Sequence, residues 1–229
     1  MRVFRATIHG VCCPVFGRFA RSFLAILGLL VASLWAAPDL DKMQMLALQR
    51  YGAPAAETVS AWRKLMVEAR ALPELEKLNK VNVFFNRRVL YETDLAVWQQ
   101  EDYWATPLEL MGRAAGDCED FAIAKYMTLL MLGIGNQNLR LIYVRAKVGG
   151  ATVAHMVLGF YPQPTEEPMI LDNLITSVRA ASQRSDLAPV FSFNSEGLWA
   201  GGAVTSSADP TARLSRWRDV LERMRQDGL

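Results

Sequence analysis

GDCEDFAIAKYMTLL, residues 116–130, joins an acidic turn to a long apolar segment. From Cys118 to Leu132 the side chains are mostly apolar, with few polar interruptions beyond the first turn. A helix that is apolar on nearly all sides is a buried one, and Gly133 is typical of a residue that ends a helix. The segment therefore predicts a helix in the centre of the molecule, with Cys118 at its beginning.

Four segments downstream have the β-branched or alternating character of strands: residues 139–147, 151–161, 169–171 and 188–193. The pair Gly149 and Gly150 indicates a hairpin turn between the first two. In the returning strand His155 shares a face with Val157, because successive side chains point to opposite faces. Asp172 follows the third strand directly. These patterns predict an antiparallel sheet against the central helix.

Helical periodicity precedes and follows this central part. Amphipathic helices are predicted at residues 58–72 and 74–85, and one short helix after Pro107. GLWAGG, residues 197–202, is predicted to be a loop. A closing helix is capped by Asp209, with Pro210 at its first position. Because the helices lie at both ends of one run of strands, the fold class is α+β in a single domain.

The first 37 residues differ from the rest of the chain. They contain four arginines, no acidic residue and an apolar run of 13 residues at positions 23–35. This pattern is typical of an export signal, and the run is short for a membrane span of about 20 residues. We therefore predict an export signal over residues 1–37, cleaved near Ala37 or kept as an inner-membrane anchor. The domain of residues 38–229 then lies in the periplasm.

The composition of residues 38–229 excludes several functions. Of the 25 basic residues, 21 remain against 23 acidic ones, so this part is mildly acidic, and no basic stripe indicates nucleic acid as a partner. It contains one cysteine, Cys118, and one histidine, His155. It therefore lacks an internal disulfide and a Cys/His zinc set.

Cys118, His155 and Asp172 have the residue types of a Cys-His-Asp catalytic triad. A nucleophilic cysteine needs a base and a third group that orients the base, and a helix N-terminus favours a thiolate. The alternative is structural, because a lone cysteine on an apolar helix is commonly a buried apolar residue. Spacing alone leaves both interpretations open.

Three acids surround the cysteine: Asp117, Glu119 and Asp120. As capping groups they stabilise the first turn of the helix by about 0.3 to 1 kcal/mol each. Alternatively they bind a hard cation such as calcium, which prefers carboxylate and carbonyl oxygens. The spacing is not that of an EF-hand loop, and composition alone leaves the choice open.

Several motifs extend this pattern: VNVFFNRR at 81–88, DYWATPLELMGRAAGDCEDFAIAKYMTL at 102–129, HMVL at 155–158 and ILDN at 170–173. Together they closely resemble the bacterial transglutaminase-like cysteine proteinases, the periplasmic LapG-type proteases, over roughly residues 55–225. The resemblance implies a papain-like, transglutaminase core. It implies Cys118 as nucleophile, His155 as general base and acid, and Asp172 as the group that orients the imidazole.

The resemblance also implies a cofactor, a substrate and a partner. The cofactor is calcium (Ca2+) at Asp117 and Glu119, with Asp120 a further metal-ligand candidate. The substrate is the N-terminal region of a large surface adhesin, cut at a di-alanine site to release it and disperse biofilm. The inhibitory partner is the periplasmic domain of an inner-membrane cyclic di-GMP receptor. The alternatives are a catalytically silent binding module and an amide-crosslinking transglutaminase.

Overall fold

The computed structural model describes residues 38–229, which begin with three helices: α1 (Leu40–Tyr51), α2 (Ala53–Ala69) and α3 (Glu74–Arg88). The last two confirm the predicted amphipathic helices. The sequence patterns do not predict α1, because its buried face consists of Met43 and Ala47 alone. The predicted export signal lies outside the described residues. Among the residues that are described, no helix is long and apolar enough to cross a membrane.

Short elements connect α3 to the central helix: β1 (Leu90–Tyr91), α4 (Asp94–Trp98), α5 (Pro107–Arg113) and β2 (Ala115–Gly116). The helix predicted after Pro107 is α5, and α4 is an additional one. Thr106 begins α5 with a capping box in which its hydroxyl accepts the Glu109 N–H at 3.2 Å. β1 and β2 form a parallel pair. Since β2 ends one residue before Asp117, this pair anchors the start of the next helix.

The predicted central helix is α6 (Cys118–Met131), and all its residues from 119 to 129 are buried. Its two polar interruptions have partners inside the protein. Thr128 accepts the indole N–H of Trp62 at 2.8 Å and donates to the Ala124 carbonyl. The ammonium of Lys125 lies 5.4 Å from the centroid of the Phe121 ring. These contacts explain how polar residues are accommodated in a buried helix.

The main sheet has six strands: β3 (Leu139–Val148), β4 (Ala151–Phe160), β5 (Met169–Leu171), β6 (Arg179–Ala180), β7 (Leu187–Phe193) and β8 (Leu198–Ala200). They are antiparallel in the order β6-β5-β4-β3-β7-β8. Gly149 and Gly150 make the predicted turn with φ of 56° and 85°. The predicted loop at residues 197–202 is partly wrong, because residues 198–200 pair with β7.

The two faces of β4 have different neighbours, as its alternation predicts. Met156 and Leu158 belong to the main core, which also contains the apolar residues of α6. Val157 belongs to a smaller cluster with Ile142 and Val144 of β3. The main core therefore lies between the helices and one face of the sheet.

The predicted closing helix is two helices: α7 (Pro210–Arg213) and α8 (Ser215–Asp227). Asp209 caps α7 as predicted, accepting the backbone N–H groups of the first turn. Extended backbone at Leu214, with φ −113° and ψ 94°, separates the helices. Trp217 and Met224 of α8 are buried in the core. At the end of α8, Asp227 accepts the Thr106 hydroxyl at 2.7 Å, which ties the closing helix to the start of α5.

Candidate active site

Cys118 is the first residue of α6 and is partly exposed. The backbone N–H of Asp117 donates to the Asp120 carboxylate at 3.3 Å, which closes the first turn behind the cysteine. The backbone N–H of Met156 on β4 lies close enough to the Cys118 sulfur to lower the pKa of the thiol. Cys118 therefore lies beside the strand residue that follows His155, although the two segments are distant in sequence.

His155 is buried on β4 and pairs with Asp172, which follows β5. Its Nε2 lies 2.8 Å from Asp172 Oδ1, and the same oxygen accepts the Leu174 N–H at 3.0 Å. An ionised carboxylate can only accept hydrogen bonds, so Nε2 carries the proton. In the neutral ring, Nδ1 is then the unprotonated nitrogen and can accept a proton.

Asp172 is held in its ionised form by its neighbours. Burial alone raises its pKa, but the hydrogen bond and charge of His155, the Leu174 N–H and the Arg184 guanidinium lower the pKa to about 2. Arg184 Nη2 lies 2.6 Å from Asp172 Oδ2, the oxygen that His155 does not use. Both oxygens of the carboxylate therefore have partners, which fixes its orientation towards the imidazole.

Arg184 and Asn86 support Asp172 from two directions. Arg184 is buried and also pairs with Asp186 through Nη2 and Nε, at 2.8 and 3.0 Å. On α3, the amide of Asn86 donates to the backbone carbonyl of Asp172 at 2.7 Å. Sequence reasoning missed both residues. Asn86 lies in the quoted motif VNVFFNRR, whereas Arg184 lies in a turn-rich stretch with no distinguishing pattern.

The thiol of Cys118 is bonded to a carboxylate in this arrangement. Sγ donates to Glu119 Oε2 at 2.9 Å. Burial raises the pKa of Cys118, and the charge and hydrogen bond of Glu119 and the charge of Asp117 raise it further, against the Met156 N–H, which lowers it. With the acids uncompensated, the thiol is therefore held protonated.

A carboxylate cluster lies directly behind the cysteine. Asp94, Asp117 and Asp120 each place one oxygen within 4.8 Å of the others, and Asp117, Glu119 and the Cys118 sulfur form an overlapping group. Sequence reasoning identified three of these acids and missed Asp94, which belongs to α4.

The cluster has the properties of a hard-cation site. Asp94 Oδ1 and Asp117 Oδ1 are buried without a hydrogen-bond partner among the described residues. Burial and the neighbouring carboxylates raise the pKa of Asp117 to about 10. Burial, with a smaller contribution from Glu119 and Asp102, raises the pKa of Asp94 to about 6. Several oxygen ligands with too little positive charge nearby fit a cation such as calcium.

The family described as "Bacterial transglutaminase-like cysteine proteinase BTLCP" matches residues 53–186. The chain belongs to this family. Among solved structures, EGTA-treated LapG from Legionella pneumophila is 41% identical, with a TM-score of 0.72, covering 82% of this chain and 100% of LapG. Calcium-bound LapG is 42% identical, with a TM-score of 0.68 and coverages of 81% and 98%. No curated protein matches the chain significantly.

Membership of this cysteine proteinase family confirms the predicted fold class, α+β with a papain-like, transglutaminase-like core. The matched region contains Cys118 and the bonded pair of His155 and Asp172, and also Asp94 and Arg184. The site combines a thiol at a helix N-terminus, a buried imidazole on an ionised carboxylate, and a carboxylate cluster. Such a site can perform nucleophilic attack on a carbonyl group with proton transfer through the imidazole.

Proposed function

We propose that this protein is a calcium-dependent cysteine endopeptidase in which Cys118, His155 and Asp172 form the catalytic triad. The observation that carries the proposal is the buried pair of His155 and Asp172, on a strand that packs against the helix beginning at Cys118. A buried histidine bonded to an ionised aspartate on one nitrogen keeps its other nitrogen available as a base. Membership of a cysteine proteinase family supports the reaction class.

In the proposed reaction, Nδ1 of His155 takes the proton from the Cys118 thiol, and the thiolate attacks the carbonyl carbon of a peptide bond. The imidazolium then donates its proton to the departing amine, leaving an acyl group on the sulfur. His155 next takes a proton from water, and the hydroxide attacks the acyl carbon, breaks its bond to sulfur and forms the carboxylic acid product. The imidazolium then returns its proton to the thiolate, which restores the thiol. Asp172 keeps the ring in the required tautomer throughout, and Arg184 keeps Asp172 ionised.

Calcium fits the carboxylate cluster of Asp94, Asp117, Glu119 and Asp120. Bound calcium supplies positive charge next to the cysteine. Glu119 can then direct its carboxylate to the cation instead of accepting the thiol proton, which leaves Cys118 free to bond to His155. The solved LapG structures include calcium-bound and EGTA-treated forms, which supports calcium as the cation.

The family resemblance supports a finer proposal for substrate, place and regulation. The substrate is the N-terminal region of a large surface adhesin, cleaved at a di-alanine site in the periplasm, and cleavage releases the adhesin and promotes biofilm dispersal. The periplasmic domain of an inner-membrane cyclic di-GMP receptor inhibits the enzyme by binding it. Residues 1–37 act as the export signal or as an inner-membrane anchor.

The decisive experiment measures cleavage of the cognate adhesin fragment in the presence of calcium. We expect cleavage at Ala-Ala by the parent protein and none by Cys118→Ala, while His155→Gln lowers kcat/KM by at least about 10²-fold because it removes the general base. Full activity of Cys118→Ala would sink the assignment.

Labelling with a thiol-directed electrophile separates an enzyme from a silent binding module. An activated Cys118 reacts faster in the parent than in His155→Gln, whereas an inert thiol reacts at the same slow rate in both. Incorporation of a primary amine into a glutamine peptide, without hydrolysis of the adhesin fragment, would indicate crosslinking instead.

A further inference from the structure

Within the described part of the chain, β4 has no neighbouring strand on one side over seven of its ten residues, 151–157. β4 pairs with β3 along its full length, from Ala151 to Phe160, but with β5 at residues 158–160 alone. Among the described residues, the edge of β4 before Leu158 therefore carries no further strand. This free edge is the part of the sheet that contains His155.

The hydrogen-bond pattern shows which peptide groups this edge presents. The N–H of Tyr161, the residue after β4, donates to the carbonyl of Asn138, the residue before β3. Since peptide groups in a strand alternate in direction, the odd-numbered residues of β4 face β3 and the even-numbered ones face the other side. The pairing with β5 obeys this rule, because Leu158 and Phe160 pair with Leu171 and Met169, and the Met156 N–H faces the same side, towards the Cys118 sulfur.

Thr152 and Ala154 are the next two residues on that side. In the described part of the chain, neither residue's N–H or C=O takes part in a backbone hydrogen bond outside the helices and strands. Residues 151–154 are also exposed. The edge therefore presents the N–H and C=O groups of Thr152 and Ala154 in a row that ends at Met156 and the thiol. Unpaired groups in a row are a template for another extended chain.

The opposite side of the sheet is protected in a way that this edge is not. β8 pairs with β7 at residues 191–193, and the unpaired start of β7 contains Pro189. Proline has no N–H to donate and is found at strand edges that do not pair. The β4 edge has no proline and no charged side chain from 151 to 154. Its sequence is compatible with pairing.

We propose that the polypeptide substrate binds as an added β-strand on the edge of β4, with its backbone bonded to Thr152 and Ala154. This mode rests on the proposed function and specifies the substrate as an extended, unfolded segment next to the scissile bond. The affinity then comes chiefly from main-chain hydrogen bonds, and the added strand leads the scissile carbonyl to the Cys118 sulfur.

A backbone N-methylation scan tests this mode. The probe is a synthetic peptide from the adhesin with Ala-Ala at its centre, and binding to full-length Cys118→Ala is measured by fluorescence anisotropy in calcium. On one side of the scissile bond, methylation of every second N–H should weaken binding about tenfold, and methylation of the alternate positions about twofold or less. The alternate positions serve as the matched control. A flat profile, or no binding of the unmodified peptide, overturns the added strand.

The variant Ala154→Pro tests the same edge from the protein side, because proline removes the N–H that faces the substrate. We expect kcat/KM for the unmodified peptide to fall at least about tenfold. The rate of Cys118 labelling by a small electrophile should stay close to that of the parent, which shows that the site is folded. Cleavage by Ala154→Pro at the parental rate overturns the added strand but leaves the proposed function intact. Failure of the parent to cleave the peptide counts against the function, while the methylation scan still decides the binding mode.

Discussion

At the scale of single residues, the candidate site contains three buried groups bonded in a row: His155, Asp172 and Arg184. His155 bonds to one oxygen of Asp172 and Arg184 to the other. With a single partner, a buried carboxylate would be less stable in its ionised form, and its pKa would rise. It would also be free to rotate away from the imidazole. Arg184 thus positions the base through Asp172 without touching the thiol.

Arg184→Gln should therefore lower the free energy of unfolding, and the size of the loss should depend on pH. Breaking a buried ion pair costs about 3 to 5 kcal/mol of unfolding free energy at neutral pH. Because Arg184 helps to lower the pKa of Asp172 to about 2, its contribution is present above the ordinary pKa of about 4 and is lost as pH falls towards 2. Urea unfolding at several pH values measures this difference.

The matched control for Arg184 is Asp186→Asn, which removes the more exposed partner of the same guanidinium. We expect this control to cost at most about 1 kcal/mol, because ion pairs near the surface contribute little. Equal losses in Arg184→Gln and Asp186→Asn at neutral pH would contradict a specific role for the bond to Asp172.

At the scale of elements, α3 holds the segment that carries Asp172. Asn82 and Asn86 are four residues apart and therefore share one face of the helix. Their amides donate to the carbonyls of Thr176 and Asp172, each at 2.7 Å. The segment after β5 has no regular structure from 172 to 178, so these two bonds from a rigid helix replace a strand partner.

Asn86→Ala should loosen this attachment. We expect a loss of about 1 to 3 kcal/mol in unfolding free energy, since a buried backbone carbonyl loses its donor, and a lower kcat with little change in KM. Asn79→Ala is the control on the same helix, because Asn79 is exposed and bonds to the Leu75 carbonyl of its own helix. Denaturant unfolding and steady-state kinetics compare the two. An effect of Asn79→Ala as large as that of Asn86→Ala would rule out the tether.

At the scale of the whole molecule, the fold assembles a negative cluster that no single segment contains. Asp94 comes from α4, while Asp117 and Asp120 come from the start of α6. The β1–β2 pair and the bond from Ala105 N–H to Asp120 Oδ1, at 2.6 Å, bring these segments together. Burying these carboxylates together costs free energy, which a cation bound by them would offset.

Calcium should therefore stabilise the fold in a pH-dependent way. In the calcium-free protein, burial and neighbouring carboxylates raise the pKa of Asp94 to about 6 and that of Asp117 to about 10. A carboxyl group whose pKa is raised by folding stabilises the folded protein only while it is protonated. This contribution is lost as pH rises from the ordinary carboxyl pKa of about 4 through the raised pKa. We expect the Tm of the calcium-free protein to fall between about pH 5 and pH 8, and calcium to raise Tm more at the higher pH. Thermal unfolding with and without a chelator measures both.

Asp94→Asn separates this cluster from nonspecific binding of calcium. It should weaken calcium binding by at least about tenfold, as a lost charged ligand costs more than about 1.4 kcal/mol. Asp41→Asn is the control, because Asp41 is exposed on α1 and pairs with Arg63 at the surface. Unchanged affinity in Asp94→Asn by calorimetry would remove Asp94 from the ligand set.

Much of the fold could be predicted because its signals are local. The apolar run after Cys118, the alternation around His155 and the cap at Asp209 each depend on near neighbours in sequence, and the structure contains the corresponding elements. Helix α1 and strand β8 could not be predicted. The first has a narrow apolar face, and the second depends on pairing with a strand that is already formed.

Periodicity and capping act over a few residues, so the amino-acid sequence was enough to predict α6 and strands β3, β4 and β5. It also placed Cys118 at the start of a helix, His155 on a strand and Asp172 after one. Three features follow from the tertiary structure and not from local sequence: the bond from Arg184 to Asp172, the position of Asp94 in the acidic cluster, and the unpaired strand edge beside His155. Each of these depends on which distant segments meet and on where one strand ends before its neighbour. Long-range packing sets those distances, and no local pattern encodes them.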